Sequence, residues 1–314
     1  MITREKLAAR RLLHLACAFS LNAWAADLAV QQAPDRLVIT HSGQPVAEFV
    51  FKDERILRPY FANVHAPGGV KVTRNHPPVE GRDAADHDTM HPGLWLAFGD
   101  IGGADFWRNK GRIEHVRFTE PPKAESGRLT FATECRLRTA EGKTLCSLTN
   151  RFTLTQLTNA WLLVWDATFR SEDGDFTFGD QEEMGFGARV ATAITEKNGS
   201  VITSSSGLKT AKTTWGQPAQ WCDYSGAVDG QQVGITLMAD PANFRPSWWH
   251  NRDYGVFVAN PFGREAMKQG AKSSVTLKQG ESLRLRFGAV MHQGRDGHTE
   301  SFYRSFLAEI TSAQ

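Results

Sequence analysis

The sequence lacks the motifs of several common chemistries. Its 314 residues include only four cysteines, none of them in a pair at zinc-ligand spacing. It contains no phosphate-binding G-x-x-x-x-G-K-[ST] loop, no dinucleotide fingerprint after a strand and no G-x-S-x-G elbow. Nucleotide chemistry and serine hydrolysis are therefore disfavoured.

A large excess of one charge is also missing. The formal net charge is +2, and the first 25 residues alone carry Arg4, Lys6, Arg10 and Arg11 against Glu5. The remainder has 32 basic and 33 acidic residues, so the basic character belongs to the N-terminus. A nucleic-acid partner is therefore not expected.

The N-terminus resembles an export signal. Basic residues precede an apolar segment at 12–21, and Ala23 and Ala25 supply the small residues of a cleavage site. We predict a signal peptide over residues 1–25, cleaved after Ala25, and a periplasmic or secreted mature protein. No later apolar run is long enough to span a bilayer, so no membrane-spanning segment is expected.

The mature sequence is dominated by strand-like alternation. β-branched and alternating apolar residues fill residues 37–290, and Gly-containing turn signals interrupt them at Ser42-Gly43, Asn198-Gly199, Asp229-Gly230 and Gln279-Gly280. One segment is helical in pattern, since Phe302, Phe306, Leu307 and Ile310 share a face after Thr299. We predict an all-β protein, a single large antiparallel β-sandwich over residues 26–314 with a C-terminal helix. Two sandwiches divided near residue 175 are the alternative.

Two cysteines flank a predicted hairpin turn. Pairing Arg138 with Lys143 would place Cys135 opposite Cys146, because a hairpin preserves the sum of paired residue numbers. A cross-strand disulfide and two buried thiols both fit this arrangement. Cys222 is expected to be packed rather than reactive.

Three segments combine tryptophan, histidine and charge more densely than turns require. They are residues 58–107, 221–226 and 246–263. Sugar rings present C–H faces that stack on aromatic rings and hydroxyl groups that bind carboxylates, amides and guanidinium groups. These segments therefore favour a carbohydrate ligand. Core packing of each tryptophan is the alternative interpretation.

The candidate acid–base residues lie in and beyond these segments. Glu183 is flanked by Gly185, Gly187 and Arg189, so the backbone there can approach a ligand closely. Glu182 fits a solvated acidic turn better. His87 and His91 have a His-x3-His spacing, but Pro92 follows at once, so a loop with hydrogen-bonding or proton-transfer roles is favoured over metal ligation.

Several of these segments resemble, in order, a bacterial family of exported proteins of unknown function, DUF6807. The resemblance rests on 58–60 (RPY), 91–95 (HPGLW), 99–100 (GD), 105–107 (DFW), 221–226 (WCDYSG), 252–255 (RDYG) and 260–263 (NPFG). The more usual first histidine segment is D-H-P-H-H-R-G-L-W. Thr89 and Met90 replace part of it here, so only His87 and His91 carry over.

The resemblance implies a β-sandwich related in shape to galactose mutarotases and an association with polysaccharide degradation. Members often carry the label methane oxygenase PmoA, which we reject for this chain. A membrane methane monooxygenase subunit needs spanning helices, and the sequence contains none after its leader.

We therefore expect an exported carbohydrate-active enzyme, a hydrolase, lyase or epimerase that works without a cofactor. Glu183 is expected to be the base, and His91 or His292 the proton donor. The expected substrate-binding residues are Asp100, Trp107, Arg189, Trp221, Asp223, Tyr224, His250, Arg252, Tyr254 and Asn260. A non-catalytic glycan-binding module and a metal-dependent enzyme are the alternatives. The sequence leaves the oligomeric state open.

Overall fold

The computed structural model describes residues 28–294 and 298–312. The predicted signal peptide and its cleavage site lie outside the described residues. The strands in chain order are β1 Leu28–Gln32, β2 Arg36–His41, β3 Gln44–Val50, β4 Tyr60–Ala62, β5 Leu94–Phe98, β6 Arg112–Glu125, β7 Arg128–Arg138, β8 Thr144–Leu157, β9 Ala160–Arg170, β10 Phe176–Phe178, β11 Met184–Arg189, β12 Val201–Ser204, β13 Trp221–Val228, β14 Gln231–Ala239, β15 Trp248–Trp249, β16 Val256–Asn260, β17 Val275–Leu277 and β18 Ser282–Gln293.

Helices are few. The described residues form two α-helices, α1 at Ala211–Thr214 and α2 at Thr299–Ser312. Short 3-10 turns occur at Pro67–Gly69, Thr192–Ile194 and Glu196–Asn198. Within the described ranges, no helix has both the length and the apolar character needed to cross a membrane.

Two eight-stranded antiparallel sheets form the sandwich. The first sheet has the order β1-β2-β3-β4-β5-β11-β16-β15, and the second has the order β12-β13-β14-β18-β9-β8-β7-β6. The strands β10 and β17 form a small separate pair. Both large sheets take strands from before and after residue 175, so the alternative of two sandwiches divided there does not match the strand order.

The core lies between the facing sides of the two sheets. It is rich in phenylalanine: the Phe49 ring packs 5.0 Å from Phe61 and 4.8 Å from Phe152. Trp165 donates from Nε1 to Asn150 Oδ1 at 2.9 Å, which satisfies a buried indole nitrogen. Burial of these side chains on one face of each strand explains the alternating pattern of the sequence.

The helix α2 covers the outer face of the second sheet. Its buried residues Phe302, Tyr303, Phe306 and Ile310 share one face. Gly288 of β18 lies beneath Phe306, where a Cβ would come within 2.7 Å of the ring. The second sheet is therefore buried on both sides over part of its area.

These features confirm the predicted all-β sandwich and C-terminal helix. The hairpins at Ser42-Gly43 and Asp229-Gly230 are formed. The hairpins expected at the other two turn signals are wrong, because the 3-10 turns Thr192–Ile194 and Glu196–Asn198 take the place of a strand before Gly199, and β17 before Gln279-Gly280 pairs with β10 instead of β18.

The predicted cysteine register is also wrong. Cys135 lies opposite Leu148, and Cys146 lies opposite Leu137. The turn spans five residues, closed by Thr139 N donating to Lys143 O, and a bulge at Leu145 separates the pairs Arg138–Thr144 and Leu137–Cys146. Cys135, Cys146 and Cys222 are all buried free thiols, and burial raises the pKa of Cys135 and Cys146 to about 12.

Truncation of Phe306 tests the role of α2 as a cover for the second sheet. We expect Phe306→Ala to lower the free energy of unfolding by about 3–5 kcal/mol, because a fully buried aromatic side chain is lost and a cavity remains. Urea denaturation measures the change. The exposed Arg304→Ala variant on the same helix should change it by less than about 0.5 kcal/mol. Equal values for the two variants would contradict the packing.

Candidate functional site

The outer face of the first sheet has a floor without large side chains. Met184, Phe186 and Ala188 of β11 point into the core, so the alternating residues Gly185 and Gly187 face outward. A Cβ on Gly187 would lie 2.8 Å from the Trp95 ring and 2.9 Å from Val258. The missing side chains therefore let Trp95 and Val258 pack over β11, so the aromatic ring covers this part of the face.

Charged residues stand at both ends of this floor. Glu183 directly precedes β11, and Arg189 is its last residue. The extended chain rises by six residue steps from Glu183 to Arg189, a span of about 20 Å. This length suits a ligand of one or two sugar rings.

His91 lies beside the floor among aromatic rings. Its ring stacks on Trp95 at 5.2 Å and meets Trp107 edge-on at 5.9 Å. The side chains of His91, Trp95 and Trp107 are buried. His91 Nδ1 and Trp95 Nε1 have no hydrogen-bond partner. Two polar nitrogens are thus left unpaired in one aromatic cluster, which is unusual for a purely structural arrangement.

Two buried arginines hold the loops of the site. Arg58 donates to the main-chain oxygens of Trp107 at 3.0 Å and Met90 at 2.6 Å, so it joins two loops. Arg74 donates to the oxygens of Asp86 at 2.7 Å and His91 at 3.2 Å. The backbone around His91 is therefore fixed by guanidinium groups.

Asp86 connects Arg189 to His87. Arg189 donates from both terminal nitrogens to the Asp86 carboxylate, at 3.0 and 3.2 Å, and His87 Nδ1 lies 2.9 Å from Asp86 Oδ2. Partial burial alone would raise the pKa of Asp86, but His87 and Arg189 lower it to about 2. The His87 imidazole is partly exposed, and the backbone of His87 has a φ of +52°, which is rare outside glycine. Asp86 thus orients an accessible histidine.

Tyr254 completes this end of the site. The Arg189 guanidinium lies 4.6 Å from the Tyr254 ring centroid, and the His87 ring stacks on Tyr254 at 6.5 Å. Burial is the main cause that raises the pKa of Tyr254, while Arg252 and Arg189 beside it oppose the rise. The phenol stays protonated at neutral pH.

Glu182 forms a carboxylate–histidine contact at the opposite end. Its Oε2 lies 3.0 Å from His250 Nδ1 and accepts from Arg252 Nη2 at 2.5 Å. The hydrogen bond with His250 is the main cause that lowers the pKa of Glu182. Asn260 Nδ2 donates to the main-chain oxygens of Gln181 and Glu182, at 2.7 and 3.0 Å, and so fixes this segment.

Glu183 stands next to this cluster with a different partner. Its Oε1 accepts from Arg108 Nη2 at 2.8 Å, and Arg108 Nη1 also binds Asp105 at 3.1 Å. About a third of the Glu183 and Arg108 side chains remains exposed. Arg108 directly follows Trp107 in the chain, so the Glu183–Arg108 ion pair adjoins the aromatic cluster.

Through these contacts and through adjacency in the chain, the residues form a connected group on the outer face of the first sheet. We call it the outer-face ring, and it consists of Asp86, His87, His91, Trp107, Arg108, Glu182, Glu183, Arg189, Arg252 and Tyr254. It surrounds Gly185 and Gly187 and contains carboxylate, imidazole, guanidinium and aromatic groups. Such a set can bind hydroxyl groups, stack on a ring and move protons.

Several predicted site residues lie elsewhere, so the expected single cluster is not formed. His292 Nε2 binds Asp223 Oδ1 at 2.8 Å on the outer face of the second sheet, where the His292 ring lies 5.4 Å from Phe302 of α2. Trp221 packs in the same α2-covered cluster. The alternation of side chains along β13 and β18 places these residues on the face of the second sheet that points away from the first sheet.

Two further predicted residues have structural contacts. Tyr224 points into the core and its hydroxyl accepts from Glu196 N at 2.7 Å and donates to Asp253 O at 3.1 Å. It supports the segment before Tyr254 and does not form a stacking wall. Asp100 Oδ1 accepts from Gly103 N at 3.0 Å and so closes a turn.

The surroundings of His91 do not suit the predicted proton donor. Burial is the main cause that holds the pKa of His91 well below its usual value, and Arg189, His87, Arg74 and Arg58 act in the same direction. The neutral imidazole therefore predominates at neutral pH, where it can bind a ligand but carries no proton to release as a cation.

Sequence reasoning missed three members of the outer-face ring. Glu182 was assigned to a solvated turn, and Asp86 and Arg108 were given no role. Asp86 directly precedes His87, which was the available signal, whereas the contact of Arg108 with Glu183 spans 75 positions of the chain. Within the described residues, no three histidine, cysteine or acidic side chains converge in a way that could hold a metal ion.

The sandwich and its outer-face ring define a β-sandwich protein with a polar and aromatic site on one sheet. The chain belongs to DUF6807, a family of unknown function whose profile matches residues 36–301, and the predicted resemblance is thereby confirmed. No curated relative matches the chain.

Solved structures with a similar fold include carbohydrate-related proteins. One is the GH36 α-galactosidase AgaB from Geobacillus stearothermophilus, with 14% identity and a TM-score of 0.45 over 86% of this chain. The chain spans 41% of that protein. Another is a galactose mutarotase-like protein from Lactobacillus casei, with 10% identity and a TM-score of 0.34, covering 84% of this chain and 100% of that one. At these scores the similarity carries no argument about function.

The buried pair on the second sheet predicts an acid-sensitive stability. Burial alone would raise the pKa of Asp223, but contacts with His292, Thr236 and Ser225 lower it overall. Its stabilising effect is therefore present above the unfolded pKa of about 4 and is lost as the pH falls through the lower folded value.

We expect Asp223→Asn to cost about 3–5 kcal/mol at pH 7 and to flatten the loss of stability below about pH 4, because one partner of a buried pair is removed. Urea denaturation from pH 7 to pH 2 measures both effects. The exposed turn variant Asp229→Asn is the control and should follow the wild type. An unchanged acid slope for Asp223→Asn would contradict the assignment.

Proposed function

We propose that the protein is an exported, periplasmic or secreted enzyme that performs acid–base chemistry on a sugar or glycoside at the outer-face ring. The observation that carries the proposal is the convergence of Glu182, Glu183, His87 and two arginines around a glycine floor about 20 Å long. This combination suits a ring-shaped ligand with many hydroxyl groups.

In this proposal the sugar lies beside Glu183 and Arg108, whose side chains are partly exposed. Glu183 acts as the base, because it adjoins the floor and its partner Arg108 contacts only Oε1. His87 lies at the opposite end, where Asp86 holds its Nδ1 and leaves Nε2 available to bind a hydroxyl group.

The remaining members of the ring bind and orient the sugar. Arg252 lines the rim near Glu182, Tyr254 lines it near His87, and Arg189 positions Asp86. A carboxylate base such as Glu183 serves hydrolysis, elimination and epimerisation, which all move a proton to or from a sugar oxygen or carbon. The proposal is therefore stated at the level of acid–base chemistry.

A non-catalytic glycan-binding site is the second candidate. The observation in its favour is that both glutamates of the ring are tied to arginines, Glu183 to Arg108 and Glu182 to Arg252. Fixed ion pairs of this kind offer hydroxyl groups a rigid set of acceptors and donors. This candidate predicts sugar affinity without product.

The decisive experiment is a glycan library screen with product detection by mass spectrometry. On the substrate found, Glu183→Gln should lower kcat by at least about 100-fold while the dissociation constant changes by less than about threefold, because the amide keeps the shape but cannot accept the proton. The fully exposed Glu141→Gln variant should leave both values unchanged. Unchanged turnover in Glu183→Gln would remove this residue from the mechanism, and binding without product would favour the glycan-binding candidate.

A further inference from the structure

A cavity whose lining contains none of the residues of the outer-face ring lies at the end of the sandwich. It has a volume of about 420 Å³ and is lined by the segments before β13 and β15, the end of β14 and Tyr303 of α2. We propose that this cavity is a second binding site, for a neutral sugar ring. The proposal is independent of any chemistry at the outer-face ring.

Two buried hydroxyl groups of the cavity lining have no partner. Ser247 is 1% exposed and Tyr303 is 3% exposed, and neither Ser247 Oγ nor Tyr303 OH makes a hydrogen bond. The two residues come from different elements, a strand entry and a helix. An unsatisfied buried hydroxyl group costs about 1–3 kcal/mol, so two of them in one cavity indicate that an occupant supplies their partners.

The other lining residues indicate what that occupant is. Three prolines, Pro218, Pro241 and Pro246, present rigid C–H surfaces. Further hydrogen-bonding side chains are supplied by Ser205, Ser206 and Gln220. This mixture of apolar surfaces with several hydroxyl or amide groups matches a sugar ring, which has C–H faces and many hydroxyl groups. It matches an aromatic ring with a single hydroxyl group less well.

The charge of the lining indicates a neutral ligand. Asp240 is the one charged residue that lines the cavity. It is neutralised by Arg286, whose Nε lies 2.5 Å from Asp240 Oδ2, and it also accepts from Ala242 N. No charge is left over to attract a carboxylate or an ammonium group.

The cavity is close to the Glu182 end of the outer-face ring but separate from it. Ser247 precedes His250, which contacts Glu182, by three residues. An extended segment of that length covers about 10 Å. A glycan longer than the floor could therefore extend in the direction of the cavity, while a short sugar would occupy either place alone.

The test is backbone amide NMR of the whole protein during titration with methyl β-glucopyranoside, methyl β-galactopyranoside and methyl β-xylopyranoside. At least one glycoside should give saturable shifts at Gln220, Ala239 and Ser247. Ser247→Ala and Tyr303→Phe each remove one oxygen atom and should weaken this binding about three- to tenfold. Tyr254→Ala removes a sugar-binding side chain of the outer-face ring and should leave the shifts at these amides unchanged, which separates this site from that ring.

Three outcomes would overturn the proposal. They are no saturable shift at these amides with any of the three glycosides, an affinity unchanged in both hydroxyl-deletion variants, and shifts produced by phenol alone, which would assign the cavity to aromatic rings. Loss of the shifts in Tyr254→Ala would show that they report the outer-face ring, and would equally overturn a separate site.

Discussion

The outer-face ring depends on two guanidinium groups that are buried beneath its loops. Arg58 and Arg74 bind main-chain oxygens of the segments that carry His87, His91 and Trp107. Burial lowers the pKa of both arginines to about 10, yet this value still leaves them charged at neutral pH. Removing such a charge from water is costly, and the carbonyl groups offset that cost only while the loops keep their present path. The loops and the arginines therefore stabilise each other.

The same principle extends to the accessible charges. Asp86, Glu182 and Glu183 each contact an arginine, and Asp86 and Glu182 each contact a histidine as well. Paired groups of this kind need little rearrangement when a polar ligand arrives, because their orientation is already fixed. The unpaired nitrogens of His91 and Trp95 are the exception, and they are the groups whose hydrogen-bonding capacity is still free.

The class of fold could be predicted from sequence because alternation and turn chemistry are local. The hairpins at Ser42-Gly43 and Asp229-Gly230 and the helix after Thr299 follow from a few neighbouring residues. The order of strands is not local. That β11 lies between β5 and β16 depends on segments about 90 and 70 residues away, and no short pattern encodes it.

The candidate site, like the fold, could be predicted from sequence only as far as local patterns determine it. The segments around His91 and Tyr254 meet because both border the first sheet. The segment at 221–226 has a similar composition but belongs to β13 of the second sheet. Alternation shows that Asp223 and Tyr224 face opposite sides, but it does not show which sheet carries them. His292 was misplaced for the same reason.

The adjacent residues Glu182 and Glu183 show how a loop can override alternation. Neighbours in a strand point to opposite faces, so one of these carboxylates would be directed at the core if β11 began earlier. Instead the strand begins at Met184, and Asn260 binds the main-chain oxygens of Gln181 and Glu182. Asn260 also accepts from Phe262 N and Gly263 N, so its amide is fully fixed. This one side chain directs Glu182 to His250 and Arg252, and places two carboxylates at the same end of the glycine floor.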